Sequence, residues 1–447
     1  MWPVIFANTR FTKTRDMIRR LLFPITALLL SDALLLAGQG LVLTLLPLRA
    51  EIQGFSATEI GWTGSAYFMG FVVSCFVTPH IVRRVGHIRT FAVLTTLYSA
   101  VILLFHVLSL VEWWLVLRLV VGFCICGLFM VIESWLNERS TQESRGTILS
   151  IYTVINLSMI ILGQQLLNVA DPSGPMLFGL AAILLSLAII PVSLTVTLAP
   201  APMHAVKLDL RRLWQLSHVG MGGAIVSGLV TGAFWSMGPL FARGLDLDTR
   251  TLTLLMSAVV LGGAVFQLPL GRLSDHYDRR LVLFYVSVVG VGLSLLMAYL
   301  SLSGLALLLL ALFWGGSVMT LYAISLAHAT DSASGDDFVM VGSGILLVYA
   351  ITSALGGPLA SALMALMGAG GLFVFSALCQ LVFALGISLR RKTHVLPVID
   401  ETEPFRALTD TSPVLFEMDP RIDSEPSEEN DDAPADASQS RASDAQQ

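Results

Sequence analysis

Residues 271–280 read GRLSDHYDRR, two aspartates and three arginines in ten positions. Long apolar runs flank them, in a chain that is 55% hydrophobic and only 13% charged. Charge packed into so short a break marks a loop at a membrane surface, which makes the flanking runs membrane spans. A spanning helix takes ~20 mostly apolar residues. Working outward from the decapeptide, twelve runs meet that length, at about 21–46, 57–79, 88–110, 113–137, 146–169, 175–198, 217–242, 250–271, 280–302, 304–328, 339–366 and 369–389. They are continuous rather than alternating, which excludes a membrane β-barrel and predicts an all-α integral membrane protein.

The distribution of Lys and Arg orients the spans. With the N-terminus inside, nineteen lie in or beside cytoplasmic segments, against three outside (Arg49, Arg243, Arg250). A bias of that size places both termini in the cytoplasm. The N-terminal segment 1–20 is basic and leads into a first run too long for a signal-peptide core, with no small-residue cleavage site closing it. Residues 391–447 form an acidic tail, expected to stay disordered because it is too polar to bury a core. The four cysteines all fall inside apolar runs, and Cys124 with Cys126 is not a metal spacing. Neither a metal nor a cofactor is expected.

The spans repeat. Gly40, Pro47, Leu48 and Ala50 match Gly232, Pro239, Leu240 and Ala242 at an offset of 192, as Ser65, Ala66 and Gly70 match Ser257, Ala258 and Gly262. Farther on, Ile148, Leu149 and Tyr152 match Ile345, Leu346 and Tyr349, an offset of 197. Six spans separate the copies, and an even number preserves orientation. The expected architecture is two parallel six-helix pseudo-repeats, 21–198 and 217–390, joined by a cytoplasmic linker at 199–216. Two such halves around a central cavity make a transporter.

The repeat places GRLSDHYDRR between spans 8 and 9, opposite PHIVRRVGHI between spans 2 and 3. Together these loops resemble the G-x-L-x-D-R-x-G-R-R signature of the major facilitator superfamily. The second half keeps Gly271, Leu273, Asp275, Arg279 and Arg280, with Asp278 in place of the second glycine. The first keeps Gly86, with Pro79 and Arg83 replacing the first glycine and the aspartate. Arg118, Gly122, Arg145 and Gly146 fit the R-x-x-x-G and R-G patterns that members carry in spans 4 and 5. The stretch ESWLNERSTQESRG further resembles the YcaD-like branch. The resemblance covers about 20–390 and implies a twelve-helix secondary transporter, in the bacterial inner membrane, that works by alternating access.

Loop charge then has a mechanical use. A carboxylate can cap the positive N-terminus of a helix in the opposite half, with arginines holding it, and so latch the cytoplasmic ends together. Asp275 is expected near Ser144 to Thr147, and Arg83 and Arg84 near Asp331, Asp336 and Asp337. The cytoplasmic gate would thus draw on Arg83, Arg84, Gly86, Glu138, Arg145, Gly271, Asp275, Arg279 and Arg280. The alternative is that these charges only set topology and solvate the loops.

Inside the bilayer three ionisable residues stand out. Asp32 lies about eleven residues into span 1, opposite Ala224 in the repeat. A carboxylate at that depth costs ~2.5–3.5 kcal/mol on insertion scales, so it needs a partner, water, or a proton to exchange. Arg118 in span 4 has three open readings: snorkelling to the outer interface, pairing with Asp32, or holding an anionic group. Glu133 follows on roughly the same face of span 4, near its cytoplasmic end, where a gate ion pair is the simpler role. Asn156 and Gln164 on span 5, and Trp235 and Tyr349, are cavity candidates, with interhelical bonding and packing as their alternatives. His328 reads as a cytoplasmic-interface residue.

Absent motifs narrow the function. There is no GxxxxGK[ST] loop for ATP, no G-P-x-x-G-G segment in span 5, and the eight histidines are scattered rather than clustered as in a metalloenzyme. Expected is a non-enzymatic, proton-coupled carrier of a small solute, monomeric in the bilayer and without nucleic-acid partners. A uniporter and a non-transporting receptor are the alternatives.

Overall fold

The computed structural model describes residues 25–194, 209–300, 302–331, 333 and 337–391. The whole N-terminal segment 1–20, linker residues 199–208 and the acidic tail from 392 lie outside them. Twelve helices are long and apolar enough to cross a membrane: Thr26–Ile52, Ala57–Val85, His87–Val107, Val111–Arg139, Ser144–Val169, Met176–Ser193, His218–Gly244, Thr249–His276, Arg279–Tyr299, Gly304–Thr330, Met340–Met367 and Gly371–Leu389. They are spans 1 to 12. A short helix, Leu210–Leu216, precedes span 7.

Several helices outrun their apolar stretches. Spans 1, 2 and 8 continue past Pro47, Pro79 and Pro269 to Ile52, Val85 and His276. Proline removes one ladder bond and kinks a helix, but packing against neighbours carries the chain through. Hydropathy stops marking a span at the interface, whereas helical hydrogen bonding continues into water. The turns have local causes. Ser56 and Glu59 form a reciprocal capping box that starts span 2, with the Glu59 carboxylate accepting the Ser56 backbone N–H at 2.7 Å. Gly86, at φ +85°, forms the single-residue turn between spans 2 and 3, a conformation that costs glycine little. Asp278, which replaces the second signature glycine, caps span 9 by accepting the Arg280 N–H at 2.8 Å.

The repeat is visible at the helix crossings. Spans 1 and 5 meet where Gly40 faces the Ile160 backbone and Gly163 the Ala37 carbonyl. Spans 7 and 11 meet in the same way, Gly232 on Ser353 and Gly356 on Leu229. Spans 2 and 4 cross through Gly70 on Leu119 and Gly122 on Tyr67; spans 8 and 10 cross through Gly262 on Leu312 and Gly315 on Val259. At each of these glycines a Cβ would collide with backbone, so the absent side chain is what lets the helices approach. These pairs correct one sequence match. Gly163 with Gly356 gives an offset of 193 for spans 5 and 11, not 197. The difference of four is about one helical turn, which returns apolar residues to the same face and so imitates a match.

Candidate functional site

A cavity lies between the halves at mid-span, in two adjoining lobes of about 120 and 130 Å³. Leu36, Phe129, Ile160, Trp235 and Tyr349 line both. One lobe adds Asn156 from the first half and Ser227, Thr231, Gln267 and Tyr322 from the second. The other adds Gln39, Tyr67, Phe68, Phe71 and Arg118. Span 1 reaches it with Leu36, Gln39 and Leu43, a helical face on which Asp32 stands one turn from Leu36. Of the four cavity candidates, Asn156, Trp235 and Tyr349 line these lobes. Tyr349 is held by the Thr231 hydroxyl, which donates to its oxygen at 3.0 Å, and by the Tyr322 ring at 5.0 Å.

Asp32 and Glu133 are both fully buried, at 0% exposure, on spans 1 and 4. With its amide oriented to satisfy its neighbours, Asn156 donates to Asp32 Oδ2 at 2.7 Å and to the Tyr152 carbonyl at 2.9 Å. The Tyr152 hydroxyl donates to Glu133 Oε1 at 2.8 Å. Span 5 thus bridges two acids, and Asn156 is the bridge residue that also lines the cavity. Glu133, a proton-coupling candidate in the sequence with a gate ion pair as its simpler role, is brought into contact with this group. Tyr152 did not stand out, because a single tyrosine in an apolar helix ordinarily packs.

Arg118 is brought to a different place. It is 3% exposed, so it does not snorkel, and its guanidinium sits over the Tyr67 ring at 5.3 Å from the centroid. Tyr67 is fixed by Gln39, whose amide donates to its oxygen at 3.1 Å, while the Tyr98 hydroxyl donates to the Gln39 carbonyl oxygen. Gln39 is seven residues, about 10 Å of helix, beyond Asp32, which explains why Asp32 and Arg118 do not pair.

The bonds described between the halves gather at the end of the bundle that holds the loops after spans 1, 5 and 7. The Gln165 amide donates to the Thr253 carbonyl at 3.1 Å and the Ser257 hydroxyl at 2.7 Å; the Asn168 amide donates to Thr253 Oγ1 at 2.9 Å. Gln164, read from the sequence as lining the cavity or bonding between helices, lies in this seam and accepts from the Ser257 hydroxyl at 2.9 Å. The Ser65 hydroxyl donates to the Ala354 carbonyl, and Arg243 and Glu51 approach to 3.7 Å at the surface. At the opposite end, Arg279 is buried and bonds Asp331 at 2.6 Å and Asp275 at 3.3 Å, both within its own half. Asp331, expected opposite Arg83 and Arg84, is therefore engaged by Arg279, and those two arginines are exposed. Asp336 and the Asp337 side chain lie outside the described residues. Glu138 is exposed, Arg145 and Arg280 are half-buried, and Gly271 is buried within span 8. His328 is half-buried near the end of span 10. Among the described residues no group of three or more His, Cys, Asp or Glu could hold a metal.

The sequence profile of the Major Facilitator Superfamily matches residues 28–216 and 220–417, and the chain belongs to that family. It is 27% identical over 371 residues to the MFS-type transporter YcaD of Escherichia fergusonii, covering 82% of this chain and 96% of that one. It is also 27% identical over 367 residues to YcaD of Salmonella typhi, covering 81% and 94%. The likeness to the YcaD-like branch read from spans 4 and 5 is thus found along the chain. Among solved structures, the nucleoside transporter NupG superposes with a TM-score of 0.70 at 15% identity, over 83% of this chain and 99% of that one. A bacterial homolog of the lysosomal transporter Spinster gives 0.67 at 12%, over 85% and 99%. At such identities these structures share the fold.

Proposed function

We propose that this member of the major facilitator superfamily is a proton-coupled secondary transporter, moving a small solute by alternating access, with Asp32 and Glu133 as its proton-handling pair. The observation that carries the reading is the buried assembly Asp32–Asn156–Tyr152–Glu133, tied to the cavity wall through Asn156. Acids buried in a bilayer and tied into one polar assembly form the kind of relay that holds a proton and passes it on. A solute arriving beside Asn156 changes the surroundings of that proton, which is the coupling a symporter or antiporter needs.

The cycle follows from the two ends. With both termini cytoplasmic, as the Lys and Arg bias implies, the bonded seam of Gln164, Gln165 and Asn168 with Thr253 and Ser257 is the outer gate in its closed state. This is the inward-facing form. In the outward-facing form the seam opens and the cytoplasmic ends meet, which is when Asp275 would reach the start of span 5. Arg83, Arg84, Glu138, Arg145, Arg279 and Arg280 supply the remaining charges at that gate. We assign the protein to the bacterial inner membrane, as a monomer.

Uptake of a radiolabelled solute panel into proteoliposomes tests the coupling. An imposed pH gradient should drive accumulation by the wild type. Asp32→Asn should lose that accumulation and retain counterflow exchange. Undiminished gradient-driven accumulation by the variant would remove Asp32 from the mechanism, and gradient-independent transport by the wild type would make the protein a uniporter.

A further inference from the structure

The cavity has one cation whose charge no described carboxylate offsets. Arg118 is 97% buried by its 3% exposure, lines the cavity, and has Nε and Nη1 without hydrogen-bond partners among the described residues. The Tyr67 ring covers one face of the guanidinium and supports its charge, but a ring face cannot satisfy the in-plane N–H donors. Those donors form a planar fork, which matches a carboxylate. The two buried acids of this half lie elsewhere: Asp32 is bonded to Asn156, and Glu133, about four turns from Arg118 along span 4, to Tyr152.

The walls around Arg118 are aromatic: Tyr67, Phe68, Phe71, Phe129, Trp235 and Tyr349. Planar rings accept a flat apolar body by stacking or edge contact. Each lobe is smaller than the ~300–1,000 Å³ of drug-sized sites, which favours a compact molecule over a peptide or oligosaccharide. A cationic cargo would bring like charge against a buried guanidinium. A neutral one would leave that guanidinium without a counter-charge.

We infer that the cargo is a small aromatic monocarboxylate, its carboxylate held by Arg118 and its ring laid against the aromatic wall of spans 2, 4 and 7. The inference rests on the transporter reading for its consequence, because the bound anion becomes the cargo that the proton pair moves. Arg118 lines one lobe of the cavity and Asn156, the contact of Asp32, lines the other, so anion binding can be measured apart from proton exchange. Gln39 and Tyr98 act as positioning residues, holding Tyr67 under the guanidinium.

Binding in detergent, without any gradient, tests this separately from coupling. Tryptophan fluorescence and thermal shift would be recorded with benzoate, 2-naphthoate and indole-3-acetate, each beside its neutral carboxamide. At least one acid should bind the wild type about tenfold or more tightly than its amide, the loss expected for a bond to a charged group. Arg118→Gln should remove the preference, and Arg118→Lys should restore part of it. Equal binding of acid and amide across the panel, or no binding of any acid, would overturn the inference. So would a preference that survives in Arg118→Gln. The acid-against-amide comparison needs only wild-type protein, so it stands even where a variant fails to fold. Acid-selective binding together with transport indifferent to a pH gradient would keep the anion site and discard the proton coupling. Gradient-driven transport with no acid preference would do the reverse.

Discussion

Spans 2 and 4 cross with Gly70 on Leu119, and spans 8 and 10 cross with Gly262 on Leu312, yet one turn away the two halves part company. Arg118 of the first half corresponds to Ala311 of the second, Glu133 to Leu326, and Asp32 to Ala224, by the offsets of 192 and 193 that the glycine pairs define. The crossings need the same small residues in both halves, because two backbones must touch in each. Charge inside a bilayer has no such structural reason to be duplicated, and it costs free energy wherever it stands. The second half has a buried polar group of its own, in which the Trp314 indole and the Gln380 amide donate to Ser294 at 2.9 and 3.3 Å, but every member is neutral. On this account the two halves share a scaffold, and the proposed proton and anion groups belong to the first, while the buried charges described in the second, Arg279 with Asp331 and Asp275, sit at the helix ends.

The comparison can be broken first at the scaffold. Gly70→Leu and Gly262→Leu should both prevent the crossing, with loss of monodisperse protein on size exclusion, because no backbone shift of that size is available in a packed bundle. A large loss in one half and none in the other would end the symmetry argument. Next comes the chemistry. Glu133→Gln should reduce gradient-driven accumulation about tenfold, the scale of one hydrogen bond to a charged group, while Leu326→Gln at the matching position should leave it unchanged. Similar losses in both would locate the coupling elsewhere.

A smaller effect is expected at the seam between the halves. Gln165→Ala removes three bonds to span 8, each ~0.5–1.5 kcal/mol, and should shift spin-label distances between the ends of spans 5 and 8 that carry the seam toward longer values. Unchanged distances would mean the seam follows closure rather than holding it. The smallest belongs to Asp275→Asn. Arg279 keeps Asp331 and the Ser274 hydroxyl, so the variant should still fold, while label distances between the opposite ends of spans 5 and 8 report a shift toward the inward-facing form. No shift would leave that aspartate a purely topological role.

Much of the architecture could be read from the chain. Apolar length and the break at 271–280 mark the spans, and an even repeat sets the halves parallel. Asp32 was visible because an acid in a long apolar run has few explanations. Its surroundings were not. Periodicity tells which residues share a face of one helix but not which helix that face meets, so Asp32, Glu133, Tyr152 and Asn156, drawn from three spans, could not be assembled. Arg118 has three readings in the sequence for the same reason, since the register of two antiparallel spans is not visible there. Gln164 is a polar signal with two meanings, cavity lining or interhelical bonding, and only the position of span 8 decides for the second.

The central claim is that the proton travels on the first half, at Asp32 and Glu133. A pH-sensitive dye trapped in proteoliposomes would read it directly, by following lumenal pH as an external aromatic carboxylate flows down its gradient. In the wild type, flux should be accompanied by a lumenal pH change. In Asp32→Asn/Glu133→Gln the pH change should vanish while counterflow exchange of the same compound persists. A pH change of wild-type size in the double variant would contradict the account.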